Sequence, residues 1–295
     1  MPQVDSVQDL GQVFLPLIIN NNGNTAQPYY FILDTGAGMS AIDQQIADKL
    51  QLPTIGQTEL AGTAGVLQVP IKQMDAITPL RRVQPVSQLT QHGLIATVQD
   101  LSQFNVPMPN TPEAGLLGND YLRHFVVEIE FVPPALHISR PYGYLPDGVN
   151  ANTYLDMWLD SNKIMRVHGK LDGWLEVELR LDSGAATLQG IYGPYLNLPL
   201  AVWKQLCEKR AEYNFYTQLS AGGMGGQVSL NVGRIASLDI GPLHFEQPSV
   251  VVQPEQGIFA RPDAVGFISL ALFEPGHWLT FDYAAGRIYL PPVAV

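Results

Sequence analysis

Tyr30-Phe31-Ile32-Leu33-Asp34-Thr35-Gly36-Ala37 has a counterpart in Leu179-Arg180-Leu181-Asp182-Ser183-Gly184-Ala185, 148 residues downstream (34 to 182), about half of the 295-residue chain. Self-similarity at a fixed offset is the first thing to look for, because it dictates the whole architecture. The same offset carries Leu117-Gly118 onto Val265-Gly266, Leu122 onto Leu270 and Phe125 onto Phe273 with no gap. Near the end of each half, Ile129-Glu130-Phe131 followed by Leu136-His137-Ile138 resembles Phe281-Asp282-Tyr283 followed by Ile288-Tyr289-Leu290, and each pair reads as a hairpin. Between the halves, Ser139 to Asp156 is rich in Pro, Gly, Tyr and Asn and has no apolar period, as a connector would. The expected division is therefore 1–147 and 148–295, with the boundary near Asp147.

Within each half the apolar runs are short, β-branched or aromatic, and bounded by Asn, Gly and Pro, which predicts strands. The runs are Val13 to Ile19, Tyr29 to Leu33, Leu67 to Ile71 and Val126 to Phe131, then Leu175 to Leu181, Val228 to Val232, Val250 to Gln253 and Trp278 to Tyr283. Two helices are predicted, Asp43 to Leu50 and Leu200 to about Tyr213; in the second, Pro199 precedes the start and Val202, Leu206, Arg210 and Tyr213 fall at helical spacing. The class is mainly β: one bilobal unit of two pseudo-symmetric β-rich halves with few short helices.

Composition fits a folded globule, with 46% apolar and 15% charged residues. The formal charge of −11 repels phosphate backbones and anionic lipid, so neither nucleic acid nor a membrane is an expected partner. A single cysteine, Cys207, excludes an internal disulfide, and the start shows no basic and apolar leader. A cytoplasmic location is expected from the sequence as given, or a periplasmic or secreted one if a signal peptide has been removed.

One Asp-[Ser/Thr]-Gly triplet is weak, since such triplets arise by chance. Two are stronger when each follows an apolar strand, is followed by Ala, and has a hydrophobic-hydrophobic-Gly element farther on. Asp34-Thr35-Gly36-Ala37 with Leu116-Leu117-Gly118-Asn119-Asp120-Tyr121-Leu122 resembles the retropepsin-like aspartic proteases, and the duplicated layout resembles the single-chain pepsins. The resemblance spans about Gly11 to Leu290. It implies that Asp34 and Asp182 are a catalytic pair, that the hydroxyls of Thr35 and Ser183 link the two loops, and that Gly36 and Gly184 let backbone N–H groups approach the carboxylates. It further implies that Leu116-Leu117-Gly118 and Ala264-Val265-Gly266 support the loops from behind, with no cofactor and no metal. The substrate would be a peptide or protein, cut by a monomer that carries both halves of the site.

Two carboxylates about 3 Å apart cannot both ionise and share one proton, a pairing for which aspartic proteases are the standard example. The ionised member can activate a water and the protonated one can hydrogen-bond the scissile carbonyl. From sequence neither can be assigned its part. Leu60-Ala61-Gly62-Thr63-Ala64-Gly65-Val66 and Leu219-Ser220-Ala221-Gly222-Gly223-Met224-Gly225-Gly226 read as two glycine-rich hairpin tips, hence as paired flaps of a fused retropepsin-like dimer. Ala37 and Ala185 stand where pepsins commonly place a hydroxyl donor, so less acidic dyad pKa values than a pepsin's are expected. Asp120 reads as structural, bonding an arginine such as Arg123 or Arg287.

Cys207 lies in a helix with Trp203 and Leu206 and reads as core; the six histidines lack an H-x-x-x-H pair. Gly222 to Gly226 fails the dinucleotide fingerprint at Val228, and Gly38-Met39-Ser40-Ala41-Ile42 fails the nucleophile elbow at its last position. Two other function classes were weighed: a degenerate relative that binds peptides without cutting them, and a paired-carboxylate glycosidase, which lacks an aromatic platform here.

Overall fold

The structure is a computed structural model that describes residues 1–21, 24–25, 27–62, 66–102, 106, 111, 113–141, 153–223 and 226–291. It is mainly β, as the sequence leads one to expect, with short α-helices at Gln44–Lys49, Asn119–Leu122 and Leu200–Lys209. No helix among the described residues is long and apolar enough to cross a membrane. Strands Tyr29–Leu33 and Val126–Phe131 fall where the sequence puts them. The largest difference is Val66–Arg81, a 16-residue strand where only Leu67 to Ile71 carried a continuous apolar signal. Its far part is held by pairing on two sides, with the strand Gln12–Asn21 and with Gln91–Gln99, so polar positions are drawn into the ladder.

The strand Gln12–Asn21 shows how the layers arise. Val13, Leu15, Leu17 and Ile19 alternate into the main core, while Phe14 turns the other way and packs with Ile32, Ala41, Val106 and Leu116. The period of two thus gives the strand two apolar faces, as a buried strand requires.

The helix at Gln44–Lys49 is capped by Asp43, whose carboxylate accepts the N–H groups of Gln45 and Ile46 at 2.9 and 3.3 Å. The later helix ends at Lys209, four residues short of the expected Tyr213. Trp203 and Leu206 are its buried positions, and Glu208-Lys209-Arg210-Ala211-Glu212 offers no further apolar face. Tyr213 reaches the same core from the following turn, its ring stacked on Trp203 at 6.0 Å and its hydroxyl on Asp172 at 2.7 Å. Cys207 packs partly buried against the core.

Six consecutive strands of the larger sheet run Gln3–Val4, Pro134–Ser139, Val126–Phe131, Trp278–Asp282, Arg287–Tyr289 and Tyr154–Leu159. Three come from early in the chain and three from late. At their centre Val126–Phe131 pairs antiparallel with Trp278–Asp282 about the Glu128–Thr280 pair, where the Thr280 hydroxyl donates to Glu128 at 3.1 Å. Both expected terminal hairpins are present here. Of the expected connector, Ser139 ends one strand and Tyr154 begins another, and the proposed boundary at Asp147 lies outside the described residues.

Candidate active site

Each Asp-[Ser/Thr]-Gly triplet leaves the end of a strand that is clamped by a parallel neighbour. Leu33 stands level with Leu117, and the Asp34 N–H donates to the Leu117 carbonyl at 2.9 Å. In the later half Leu181 stands level with Ile268, and Asp182 with Ser269. This corrects the sequence alignment. The residues matching Leu117 and Gly118 are Ile268 and Ser269, an offset of 151, not Val265 and Gly266. Gly266 is level with Leu179 as Gly115 is level with Phe31. These two glycines share a reason: a Cβ at Gly115 would strike the Ala41 carbonyl oxygen, and one at Gly266 the Asn197 carbonyl oxygen. Three extra residues on the way to Gly266–Ser269 shift the register, and the zero-gap match had hidden them.

The two loops are tied reciprocally. The Thr35 N–H donates to Ser183 Oγ at 2.9 Å and the Ser183 N–H to Thr35 Oγ1 at 3.1 Å. Each hydroxyl then donates across to the strand before the other aspartate, Thr35 to the Leu181 carbonyl at 2.7 Å and Ser183 to the Leu33 carbonyl at 2.6 Å. Both side chains are buried and all four polar groups are satisfied. The clamp leaves no room beside the triplets: a Cβ at Gly36 would lie 2.7 Å from both carboxylate oxygens of Asp182, and one at Gly184 2.7 and 2.8 Å from those of Asp34. Glycine is needed at both places for close approach.

The carboxyls of Asp34 and Asp182 face each other, each close beside the glycine of the other's triplet, and each perturbs the other's ionisation. Burial, then the charge of Asp182, push Asp34 well above the ordinary carboxylate range, against one backbone N–H from Gly36 at 2.9 Å. Burial raises Asp182 as well, but Arg180 opposes it most strongly, and the N–H groups of Ala185 and Gly184 donate to it. Both carboxyls are thus held above the ordinary range, and the pair shares its protons as a unit.

Further residues that the sequence reading left unassigned complete the floor. The Asn119 amide donates to the Thr35 carbonyl at 2.6 Å, and its oxygen accepts the hydroxyl of the partly buried Tyr283 at 2.6 Å. Asp120 does not bond Arg123 or Arg287. Its Oδ1 accepts the N–H and hydroxyl of Ser40 at 2.9 and 2.8 Å, and Ser40 Oγ accepts the Gly118 N–H at 3.1 Å. A short side chain one turn from the support strand is simply nearer than either arginine.

The carboxyls open into a cleft of about 750 Å³. From one side it is roofed by Leu60, Ala61 and Gly62, and from the other it is lined by Ala221 and Gly222. The Ile258 N–H donates to the Gly62 carbonyl at 3.0 Å, joining the two sides. Thr63, Ala64, Gly65, Met224 and Gly225 of the expected tips lie outside the described residues; Gly223 ends one strand of the second hairpin. Among the described residues one group of three possible metal ligands occurs, Glu128, Glu130 and His137, away from the carboxyl pair's cleft lining, and the His137 ring pairs with Glu130 at 3.3 Å.

Glu113 lines the same cleft, buried near the Asp43 charge; burial and then that charge raise its carboxyl to about 7. The folded protein therefore holds a proton that the unfolded chain has released, and Glu113 costs stability progressively as pH rises from the ordinary range to about 7. The full cost, about 3 kcal/mol, applies above that. Chemical denaturation should find Glu113→Gln more stable than the parent by roughly that amount at pH 8, with the difference shrinking towards pH 4. An equal difference at both values would remove the linkage.

The family model described as aspartyl protease matches residues 15–121. Among solved structures the chain is similar to Basic 7S globulin from soybean, at 9% identity and TM-score 0.49, covering 97% of this chain and 92% of that one. It is also similar to a retropepsin-like aspartic protease from Rickettsia conorii, at 11% identity and TM-score 0.32, covering 46% and 89%. No curated protein matches the chain.

Proposed function

We propose, for a chain whose residues 15–121 carry the aspartyl protease family pattern, that it is an endopeptidase hydrolysing peptide bonds with Asp34 and Asp182 as its catalytic pair. The observation that carries the reading is the close approach of the two carboxyls, each against the glycine of the other's triplet, held by the reciprocal Thr35–Ser183 clamp at the floor of the cleft. A peptide lies in the cleft as an added strand beneath Gly62 and Gly222, which act as flap residues with the tips Thr63, Ala64, Gly65, Gly223, Met224 and Gly225.

The ionised member of the pair takes a proton from a water lodged between the carboxyls, and the water oxygen attacks the scissile carbonyl carbon. The protonated member donates a hydrogen bond to the carbonyl oxygen as charge builds there. The tetrahedral adduct then collapses: a proton passes from the pair to the amide nitrogen, the C–N bond breaks, and a carboxylic acid and an amine leave. No covalent enzyme intermediate is involved.

The two halves are read as diverged copies, 1–147 and 148–295. In support, Thr35 and Ser183 bond reciprocally across the two triplets, and Val126–Phe131 pairs antiparallel with Trp278–Asp282 about the Glu128–Thr280 pair. Leu117 with Gly118, and Ile268 with Ser269 in place of Val265 with Gly266, are the supporting positions.

The test is a pH–rate profile of peptide cleavage. Both carboxyls are raised and neither triplet is followed by a hydroxyl residue, so kcat/KM should peak nearer neutral than a strongly acidic value. A peak in strong acid on folded protein, or no cleavage at any pH, counts against the reading.

A further inference from the structure

The strand Leu175–Asp182 alternates with one conspicuous break in character. Leu179 and Leu181 are fully buried in the core, so Arg180 and Asp182 share the opposite face and both line the cleft. The matching residue before Asp34 is Ile32, also on the cleft wall. Beside them, Leu116 in one half corresponds to Phe267 in the other by register. One wall of the cleft is therefore aliphatic, and the other presents a guanidinium.

Arg180 is 7% exposed and takes part in no salt bridge among the described residues. Its Nε is buried without a hydrogen-bond partner. The guanidinium carbon lies 5.5 and 5.4 Å from the ring centres of Phe259 and Phe267, which fix its direction without satisfying its donors. The neighbouring cation in register, Arg166, is already committed to Asp160 at 2.6 Å. Lys163 and Arg261 line the same cleft, as do the acidic residues Asp34, Glu59, Glu113 and Asp182. Burying an arginine with a free donor is costly, and an apolar residue of similar size would fill the space more cheaply. The charges of Asp182 and Asp34 offset part of that cost through space, and the donor they leave unbonded has a ready explanation if its partner comes with the substrate.

We propose that Arg180 is a specificity-determining residue that receives a carboxylate of the substrate, on the Asp182 side of the scissile bond. The inference rests on the peptide-cleaving reading for its location. Its chemistry, a planar fork of N–H donors facing a carboxylate, is independent of catalysis. The carboxylate can belong to a Glu or Asp side chain next to the bond that is cut, or to the free C-terminus of a short peptide.

The test uses the full chain carrying Asp34→Asn, which keeps one negative charge in the pair and allows binding to be read without turnover. Fluorescein-labelled octapeptides with a central Leu carry Glu, Gln or Lys at each position in turn, and a second set ends in a free or an amidated carboxyl at each length. Fluorescence anisotropy should show one position where Glu binds about 10-fold tighter than Gln, and Lys more weakly still. If the terminal carboxylate is the true ligand, the preference appears in the free-against-amidated set and not in the internal one. Adding Arg180→Met, which keeps the stem between Phe259 and Phe267, should reduce the preference to under about twofold, and Arg180→Lys should keep part of it.

Equal binding of Glu and Gln peptides at every position with no effect of amidation, no binding of any peptide, or a preference that survives Arg180→Met, overturns the proposal. Digestion of the same peptides by the parent chain separates the two readings. A charge preference in binding with no cleavage sinks hydrolysis and leaves Arg180 its role. Cleavage with flat binding does the reverse.

Discussion

Asp34→Asn is expected to lower kcat for peptide cleavage by about 10³-fold or more while leaving the protein folded and slightly more heat-stable, and Asp182→Asn to do the same. The size follows from what each carboxyl supplies. General acid–base work is worth about 10²- to 10⁴-fold, and a hydrogen-bond donor aimed at the developing oxyanion about 10²- to 10³-fold. An amide on either side removes the shared proton, so the pair can no longer both accept a proton from water and pass one to the leaving nitrogen. The stability gain has the same origin. Burial raises both carboxyls and the Asp182 charge raises Asp34 further, so holding charge there costs the native state, and that cost grows as pH rises from the ordinary carboxylate range. The gain in melting temperature should be clear at pH 7 and fade towards pH 3. Turnover unchanged in both variants would end the proposal that this pair is catalytic.

The second large effect is on stability. Thr35→Val keeps the shape of the side chain and removes its hydroxyl, leaving the Ser183 N–H and the Leu181 carbonyl without their partner in a buried site. At about 1–3 kcal/mol for each stranded group, the loss is about 2–6 kcal/mol, seen as a lower urea midpoint. Thr35→Ser keeps the hydroxyl and should recover most of it. Activity should fall further than stability alone explains, since a shift of about 1 Å between the loops misplaces both carboxyls and can cost about 10²-fold. If Thr35→Val and Thr35→Ser unfold at the same urea concentration, the clamp does not carry this load.

Much of this architecture is legible in the chain because the signals are local and repeated. Tyr29–Leu33 is a short apolar run and Leu175–Asp182 an alternating one, each leads into an Asp-[Ser/Thr]-Gly triplet, and a fixed offset joins them. The supporting strands were harder. Leu117-Gly118 and Val265-Gly266 look alike as letters, yet Gly118 gives its N–H to Ser40, while Gly266 makes room for the Asn197 carbonyl. Register depends on pairing between distant strands, and a three-residue difference in the path to Gly266–Ser269 leaves no mark in composition. Arg180 was visible all along as a charge inside Leu179-Arg180-Leu181-Asp182, and the period of two already puts it beside Asp182. What the sequence could not supply is its lack of a partner, because that depends on which residues line the rest of the cleft. The Ser40–Asp120 bond is of the same kind, joining residues 80 apart.

The most direct test is a mass-spectrometric digest in which a defined peptide library is incubated near neutral pH with the parent chain, with Asp34→Asn and with Asp182→Asn, each shown to be folded. Cleavage products with the parent and none above background with either variant are the predicted result. Identical products at comparable rates from all three proteins, or no products from the parent, would contradict the assignment of Asp34 and Asp182 as a catalytic pair.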